Sequence, residues 1–283
     1  MQTGRASRTA LGVAHRRAVH QLLDDPPVFV DPIAIPILGS QFEIDSVLSD
    51  PRRHHPFARA FRAFMVARSR YTEDNLAAAV ASGVGQYVVL GAGLDTFAYR
   101  NPFPNLRVFE VDFPATQEWK RGLLRQAGIQ ESSNLVYVPL DFEHRTLTEG
   151  LTEAGLDSNS PAFFGWLGVV PYLTLPTFRS TIDLVAAMPA GSGITFDYAL
   201  SAEELSPARQ RAHATLTARV AAVGEPFHLF FRSEQLDNEL RSAGFQRIEQ
   251  LDTIDVNALY FTGRDDGLQL PDEGLGKLAT GWV

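Results

Sequence analysis

The segment QYVVLGAGLDTFAYR, residues 86–100, decides how the rest of the chain is interpreted. It opens with an uninterrupted apolar run from Tyr87 to Leu90, which is typical of a strand buried on both faces of a parallel sheet. Gly91 and Gly93 follow directly, and two glycines let the backbone bend sharply and present its N–H groups to a ligand. The segment therefore predicts a ligand site at the carboxyl end of this strand.

A second apolar segment, residues 106–111, ends in Asp112. The carboxylate follows the glycines by about 20 residues, the spacing at which such an acid hydrogen-bonds a ribose diol. Thr96 stands where a dinucleotide fingerprint would place its third Gly, so an NAD(P)-dependent oxidoreductase is the disfavoured alternative. An ordinary tight turn between a strand and a helix remains a second alternative for the glycines.

Four sequence words lie in order along the chain: VVLGAGLDTFAYR, VFEVDFPATQEWKR, YVPLDFE and WLGVVPYLT. Together they resemble the bacterial branch of the leucine carboxyl methyltransferase-like family of S-adenosylmethionine-dependent methyltransferases. The resemblance extends over most of the chain and is weakest across residues 201–232. It implies a doubly wound, mostly parallel, Rossmann-like α/β sheet of seven strands in the order 3-2-1-4-5-7-6, with strand seven antiparallel. It also implies that S-adenosyl-L-methionine is the cofactor, held in part by Gly91, Gly93 and Asp112.

The amino-acid composition excludes several classes of protein and of site. The chain has 283 residues, of which 45% are hydrophobic, enough for one large α/β domain. Its net charge of −8 argues against binding to nucleic acid or to anionic membranes. The absence of Cys excludes disulfides, thiolate metal sites and a cysteine nucleophile. We therefore expect a soluble, cytoplasmic protein without a metal site, whose partner is a small-molecule methyl acceptor.

We predict a single domain, residues 1–283, made of four parts. These are an N-terminal helical lid (1–82), a cofactor-binding core (83–200), a substrate cap (201–232), and the C-terminal strands and tail (233–283). Apolar residues at helical spacing between residues 11 and 22 predict an amphipathic helix that ends near Pro26. By resemblance, this helix folds over the cofactor site.

Arg68 is the main cation expected in that site. It lies seven residues after Phe61 and four after Phe64 in a predicted helix, residues 57–68, and so it faces inward with them. A buried guanidinium needs an anion, which is either an internal carboxylate or, as the resemblance implies, the carboxylate of the cofactor's methionine half. Arg70, which lies off this stripe, is the reserve candidate. A separate helix is predicted from about residue 73 to residue 82.

Asp141 and Phe142 follow the third predicted strand, residues 135–140. The resemblance implies that these two residues border the adenine ring of the cofactor. A carboxylate can accept a hydrogen bond from the exocyclic amine, and an aromatic ring can stack. The alternative for Asp141 is that it caps the N-terminus of the following helix.

The sequence offers fewer signals for the residues that bind the methyl acceptor than for those that bind the cofactor. A fourth strand is predicted at residues 163–170 and a fifth at 194–198. Tyr172 and Tyr198 are tentative wall residues of an acceptor pocket, although Tyr172 could equally be a half-buried ring with a solvated hydroxyl. Aligning the family word places Leu167 where eukaryotic members carry a Glu. Their substrate, a protein C-terminus, is therefore not expected to carry over to this chain.

The C-terminal third is expected to close the pocket and complete the sheet. Phe227, Phe230 and Phe231 belong to the predicted cap, and His213 is expected at the surface. The last two strands are predicted at residues 245–251 and 257–262, followed by an irregular tail from residue 263.

The predicted reaction is transfer of the sulfonium methyl to a carboxylate or hydroxyl of a small molecule, and it rests on the family resemblance alone. No residue stands out as a general base, which favours a carboxylate because a carboxylate needs positioning more than activation. Besides the oxidoreductase, the remaining alternative is a non-catalytic module that binds S-adenosylmethionine. The catalytic residues cannot be named from the sequence.

Overall fold

The protein is described by a computed structural model, which covers residues 8–141, 144–222 and 224–283. The strands are β1 (Gln86–Leu90), β2 (Arg107–Asp112), β3 (Leu135–Pro139), β4 (Ala162–Trp166), β5 (Gly193–Ala199), β6 (Arg247–Leu251) and β7 (Gly276–Trp282). The α-helices of the described ranges are α1 (Arg8–Leu23), α2 (Ile44–Ser49), α3 (Pro56–Ala81), α4 (Pro114–Gln126), α5 (Leu147–Glu153), α6 (Leu175–Ala186), α7 (Pro207–Ala222), α8 (Ser233–Ala243) and α9 (Thr253–Tyr260).

One seven-stranded sheet organises the molecule, in the order β3-β2-β1-β4-β5-β7-β6. Five strands are parallel to one another: β3, β2, β1, β4 and β5. Strand β7 lies antiparallel to both β5 and β6. The predicted doubly wound α/β fold and its strand order are confirmed. Because the order reverses between β1 and β4, the carboxyl ends of these strands border a crevice, which is where open α/β sheets bind ligands.

Helices cover both faces of the sheet because the central strands are apolar on both sides. One face packs against α5, α6 and α8 around Phe164, Trp166, Phe178 and Phe196. The other face packs against α3, which approaches the sheet closely at Gly165. A Cβ at Gly165 would lie 2.4 Å from the hydroxyl of Tyr87, so only glycine leaves room for the Tyr87 ring here.

The segment between residues 56 and 81 forms one helix, α3, with 26 residues, and the prediction of two separate helices there is wrong. No Gly or Pro separates its two halves, and an ion pair between Arg70 and Asp74, 2.8 Å apart, spans one turn at the predicted break. Despite the length of α3, no helix within the described ranges is both long and apolar enough to cross a membrane.

The seventh strand does not lie where the sequence predicts it. Residues 253–260 form helix α9, which begins with a capping box: Asp252 accepts hydrogen bonds from the N–H groups of Ile254 and Asp255, and Asp255 accepts one from Asp252. The strand is β7, in the glycine-containing tail predicted to be irregular. Its Gly281 packs under Phe245, where a Cβ would come within 2.7 Å of the ring. Within β7, Gly276 and Gly281 therefore mark close packing rather than an irregular segment.

Candidate active site

The glycine turn after β1 has the conformation that its sequence predicts. Gly91 and Gly93 have φ angles of 65° and 48°, in the left-handed region. A Cβ at Gly91 would lie 2.5 Å from Cγ2 of Val169, which follows β4 in the chain. The turn is tied to β2 because the N–H of Ala92 donates to the carbonyl of Val111 at 3.0 Å. Both glycines are therefore required by backbone conformation, and Gly91 also by the close approach of Val169.

Asp112 joins the glycine turn to the end of β2. Its Oδ2 accepts a hydrogen bond from the N–H of Gly93 at 2.5 Å, and its Oδ1 accepts one from Phe113 at 2.6 Å. Burial raises the pKa of this carboxyl, while the two backbone hydrogen bonds act in the opposite direction. The side chain of Thr116 also hydrogen-bonds this carboxylate, so one of its four lone pairs is left to accept from a diol.

Arg68 points from α3 toward the end of β4 and pairs with a carboxylate of the protein. Its Nη1 donates to Oδ2 of Asp197 on β5 at 2.9 Å, and both side chains are less than 10% exposed. The other oxygen of Asp197 accepts from the N–H of Gly168 at 2.5 Å. The internal ion pair considered for Arg68 is therefore present. The Nε of Arg68 is buried without a hydrogen-bond partner among the described residues, so the guanidinium keeps a donor for a second anion.

The other residues predicted to bind the cofactor lie in different environments. Asp141 lies at the end of β3 beside His144, with 3.1 Å between Oδ2 and the ring Nδ1. It is not the N-cap of α5, because Thr146 occupies that position in a capping box with Glu149. Phe142 lies outside the described residues. Arg70, the reserve for Arg68, lies at the surface in its pair with Asp74.

Of the two tyrosines predicted to line an acceptor pocket, Tyr172 is the one whose hydroxyl is influenced by the charges of Arg68 and Asp197. Tyr172 lies in a short 3₁₀ turn after β4, hydrogen-bonds Thr9 of α1, and packs edge-on against Phe227 with 5.1 Å between ring centroids. Tyr198 is not brought together with these residues. Its ring packs against Phe231 on the opposite face of β5, and its hydroxyl donates to Gln250 at 2.6 Å. Side chains alternate along a strand, so Asp197 and Tyr198 face opposite sides.

Helix α1 lies over the glycine turn, as the resemblance implies for the N-terminal segment. A Cβ at Gly93 would be 3.1 Å from the Cβ of Ala10. The guanidinium of Arg17 donates to the carbonyl of Leu94, directly after the turn. At the start of the helix, Thr9 donates a hydrogen bond to Glu225, which follows α7. The N-terminal helix and the predicted cap therefore meet above the carboxyl ends of the strands.

A buried polar network explains the residues that follow the glycines. Asp31 accepts from Thr96 Oγ1 at 2.7 Å and from the N–H of Ile33 at 3.0 Å. Arg100 lies 3.5 Å from Asp31 and also donates through two nitrogens to Glu73. These bonds attach α3 and the segment after α1 to the glycine turn. Neither Asp31 nor Asp197 was predicted from the sequence, although the acid within the apolar segment ITFDYAL was a signal for Asp197.

The model of the leucine carboxyl methyltransferase family matches residues 10–186, more than half of the chain. The chain belongs to the leucine carboxyl methyltransferase family. It is a methyltransferase that uses S-adenosyl-L-methionine, as its relatives also indicate.

Two curated relatives and one solved structure are similar to this methyltransferase. A Bacillus subtilis protein named "Putative S-adenosyl-L-methionine-dependent methyltransferase YktD" is 33% identical, with 95% of each chain covered. A Mycobacterium avium protein with the same description is 30% identical, with 70% of this chain and 66% of the relative covered. The crystal structure of a DUF574 family protein from Streptomyces avermitilis has a TM-score of 0.57 at 18% identity, with 96% of each chain covered, and shows the fold.

The geometry of this methyltransferase fits the cofactor. The glycine turn leaves no room for a Cβ at Gly91, and the free Nε of Arg68 is a buried donor suited to a carboxylate. We expect Asp112 to hold the ribose, Arg68 the methionine carboxylate, and Asp141 the adenine edge. Within the described residues, no group of three or more His, Asp or Glu side chains could hold a metal ion.

Replacing Gly91 by Ala should lower both stability and cofactor affinity. A left-handed φ costs a non-glycine residue about 1–2 kcal/mol, and the overlap with Val169 adds roughly 1–3 kcal/mol of crowding. The matched control is Gly128→Ala, since Gly128 also has a left-handed φ, 69°, but no atom within 4 Å of its Cβ position. Urea unfolding should show a larger loss for Gly91→Ala. Equal losses in the two variants would contradict the crowding argument.

Proposed function

We propose that the protein is an O-methyltransferase that acts on a carboxylate or a hydroxyl of a small molecule. The observation that carries the proposal is the meeting of α1, Tyr172 and the segment after α7 above Arg68. Thr9 contacts both Tyr172 and Glu225, so two separate parts of the chain enclose this region. An enclosed site favours a small acceptor, and it excludes water that would compete for the methyl group.

Bound S-adenosylmethionine supplies an electrophilic sulfonium methyl, and the chain's own residues hold and orient the reactants. Arg68 and Asp197 form a rigid buried pair at the ends of β4 and β5, so the guanidinium is held in place before any ligand binds. Such pre-organisation contributes to rate because the reacting atoms are aligned without further ordering. A carboxylate acceptor is already a nucleophile, so positioning by these residues would suffice.

A hydroxyl acceptor is favoured by a different observation, at His213. His213 is partly exposed, as expected of a surface residue, but its ring packs against Phe230, with 5.0 Å between ring centroids. Its Nε2 is buried without a hydrogen-bond partner among the described residues. Burial lowers the pKa of His213, with a hydrogen bond to the backbone of Leu200 opposing the shift, and this favours the neutral imidazole, which can accept a proton. The aromatic series Tyr172, Phe227 and Phe230 connects His213 to the region above Arg68.

The two acceptors are distinguished by the chemistry of the product. Wild-type protein is incubated with methyl-labelled S-adenosylmethionine and a whole cell extract, and the labelled product is treated with mild base. We expect a base-labile product, a methyl ester, whose formation His213→Asn leaves unchanged. A base-stable product whose formation is lost in His213→Asn would instead show transfer to a hydroxyl. Label confined to macromolecules would overturn the small-molecule proposal.

A further inference from the structure

The C-terminal end of α1 is anchored to the body of the protein by buried hydrogen bonds. The ring of His20 hydrogen-bonds Asp24 at 2.8 Å, and Asp24 accepts two further hydrogen bonds from Arg62 of α3 at 2.6 and 2.8 Å. His20 also accepts from the N–H of Val28 at 2.9 Å. All four residues are buried, and these hydrogen bonds have ordinary lengths. This end of α1 is therefore fixed.

The rest of α1 lies on the glycine turn through a face of small side chains. Ala14 and Ala18 are buried in one apolar cluster with Leu94. Ala10 is the residue whose Cβ lies closest to Gly93. The three alanines follow one another at intervals of four residues, so they share one side of the helix. Alanines form shallow ridges, and a small shift of such a face needs no change of rotamer.

Arg17 attaches this part of α1 to the glycine turn, but its contacts are incomplete. The guanidinium donates to the carbonyl of Leu94, and it lies 3.7 Å from Asp31 and 3.7 Å from Asp95. Each 3.7 Å distance exceeds an ordinary N–H···O hydrogen bond by about 0.8 Å. The Nε of Arg17 has no partner among the described residues, although the side chain is only 3% exposed. A buried donor without an acceptor costs free energy, which a closer approach would recover.

The two carboxylates are held in place by other hydrogen bonds. Asp31 accepts from Thr96 at 2.7 Å, and Asp95 accepts through Oδ1 from the N–H of Phe97 at 2.8 Å. The Oδ2 of Asp95 accepts no hydrogen bond among the described residues, and 3.7 Å separates it from Arg17. Because the turn holds both acids, a movement of α1 toward the turn is the direct way to shorten these distances.

We propose that α1 closes on the glycine turn by about 1 Å when the cofactor binds, and that Arg17 is the positioning residue that fastens it there. The movement is a rotation about the anchored C-terminal end of α1, and it brings the guanidinium within hydrogen-bond distance of Asp31 and Asp95. A bound ligand shifts an equilibrium toward the state that it contacts better, and the closed helix offers the cofactor more contact. Closure slows release of the cofactor, whatever the methyl acceptor is.

Hydrogen exchange of the α1 amides tests the closure. The full-length protein is measured with and without S-adenosylhomocysteine, after calorimetry has shown that the ligand is bound. We expect the ligand to slow exchange at residues 10–17 at least about tenfold, and to change residues 20–23, which are already anchored, less than about twofold. Exchange at residues 10–17 that is equal with and without ligand would overturn the proposal.

The dissociation rate of S-adenosylhomocysteine tests the part that Arg17 takes. Arg17→Gln should release the ligand about tenfold faster, the effect of losing one charge-assisted hydrogen bond, with little change in the association rate. It should also lose the ligand-induced protection of residues 10–17. The matched control is Arg107→Gln, because Arg107 also donates to backbone carbonyls, those of Ala154 and Gly155, but at the start of β2 and so at the opposite end of the sheet. Arg107→Gln should release the ligand as wild type does.

A purely structural role for Arg17 gives a different result. Arg17→Gln would then be less stable in urea but would release the ligand at the wild-type rate, which contradicts the assignment. Should Arg17→Gln fail to fold, Arg17→Lys takes its place, since it keeps the buried charge. Its single ammonium group cannot reach both carboxylates as the guanidinium does, so it should release the ligand at a rate between those of wild type and the loss of the whole contact. A wild-type rate in Arg17→Lys would count against Arg17.

Discussion

Replacing Lys120 by Met should destabilise the protein by roughly 3–5 kcal/mol at pH 8, the cost of leaving one buried charge without its partner. The Nζ of Lys120 lies 2.7 Å from Oε2 of Glu110, and neither side chain is more than 1% exposed. The pair connects α4 to β2, two residues before Asp112. Glu110 Oε1 has no hydrogen-bond partner among the described residues, so Lys120 provides the main compensation for its charge.

The effect of Lys120→Met should depend on pH. Burial raises the pKa of Glu110 from 4.5 to about 7, with Lys120 opposing the rise. Because this pKa lies above that of the unfolded chain, the folded state binds more protons between about pH 4.5 and pH 7. The stability contribution of Glu110 is therefore fully present below pH 4.5 and is lost as the pH rises through about 7. Without Lys120 the pKa rises further, so the loss should be smaller at pH 5.5, where Glu110 is neutral, than at pH 8.

Urea unfolding at both pH values measures this difference. Glu110→Gln is the control, because it removes the titrating carboxyl while it keeps the shape of the side chain. Adding Lys120→Met to Glu110→Gln should give a destabilisation that no longer grows with pH. A loss that is equal at pH 5.5 and pH 8 in Lys120→Met alone would show that the Glu110 charge is not its cause.

Replacing Asp112 by Ala should weaken binding of S-adenosylhomocysteine about 10- to 150-fold. This corresponds to roughly 1.5–3 kcal/mol, the range for hydrogen bonds to a charged group. Two causes act together. The variant loses the carboxylate expected to accept from the ribose, and it releases the N–H groups of Gly93 and Phe113, which Asp112 holds at 2.5 and 2.6 Å.

Calorimetric titration tests this prediction, with Asp157→Ala as the matched control. Asp157 also accepts hydrogen bonds within its own turn, from Asn159 and Ser160, but it precedes β4 and so lies at the opposite end of the sheet. Asp157→Ala should leave the affinity unchanged. An unchanged affinity in Asp112→Ala would remove this residue from the cofactor site, whereas a loss shared by both variants would point to a general effect on folding.

Much of the core could be predicted from the sequence because its signals are local. The apolar run before Gly91 and the acid at Asp112 lie within short segments whose spacing is set by the strand and turn that contain them. The order of the strands came from the resemblance of four words, which is also local information. The errors occurred where one local pattern has two interpretations. The segment NALYFT resembles a strand, yet the capping box at Asp252 starts a helix there.

Only the tertiary structure could decide which distant residues share a site. Arg68 and Asp197 are 129 positions apart, and Thr9 and Glu225 are 216 apart, so no periodicity relates the members of either pair. The same holds for β7: a Cβ at Gly281 would meet the ring of Phe245, and a Cβ at Gly276 would meet the carbonyl oxygen of Tyr198. A sequence determines the conformations that each segment prefers. Packing between segments decides which residue pairs with a buried charge and which residue fills the space over a glycine. That packing determined the candidate site.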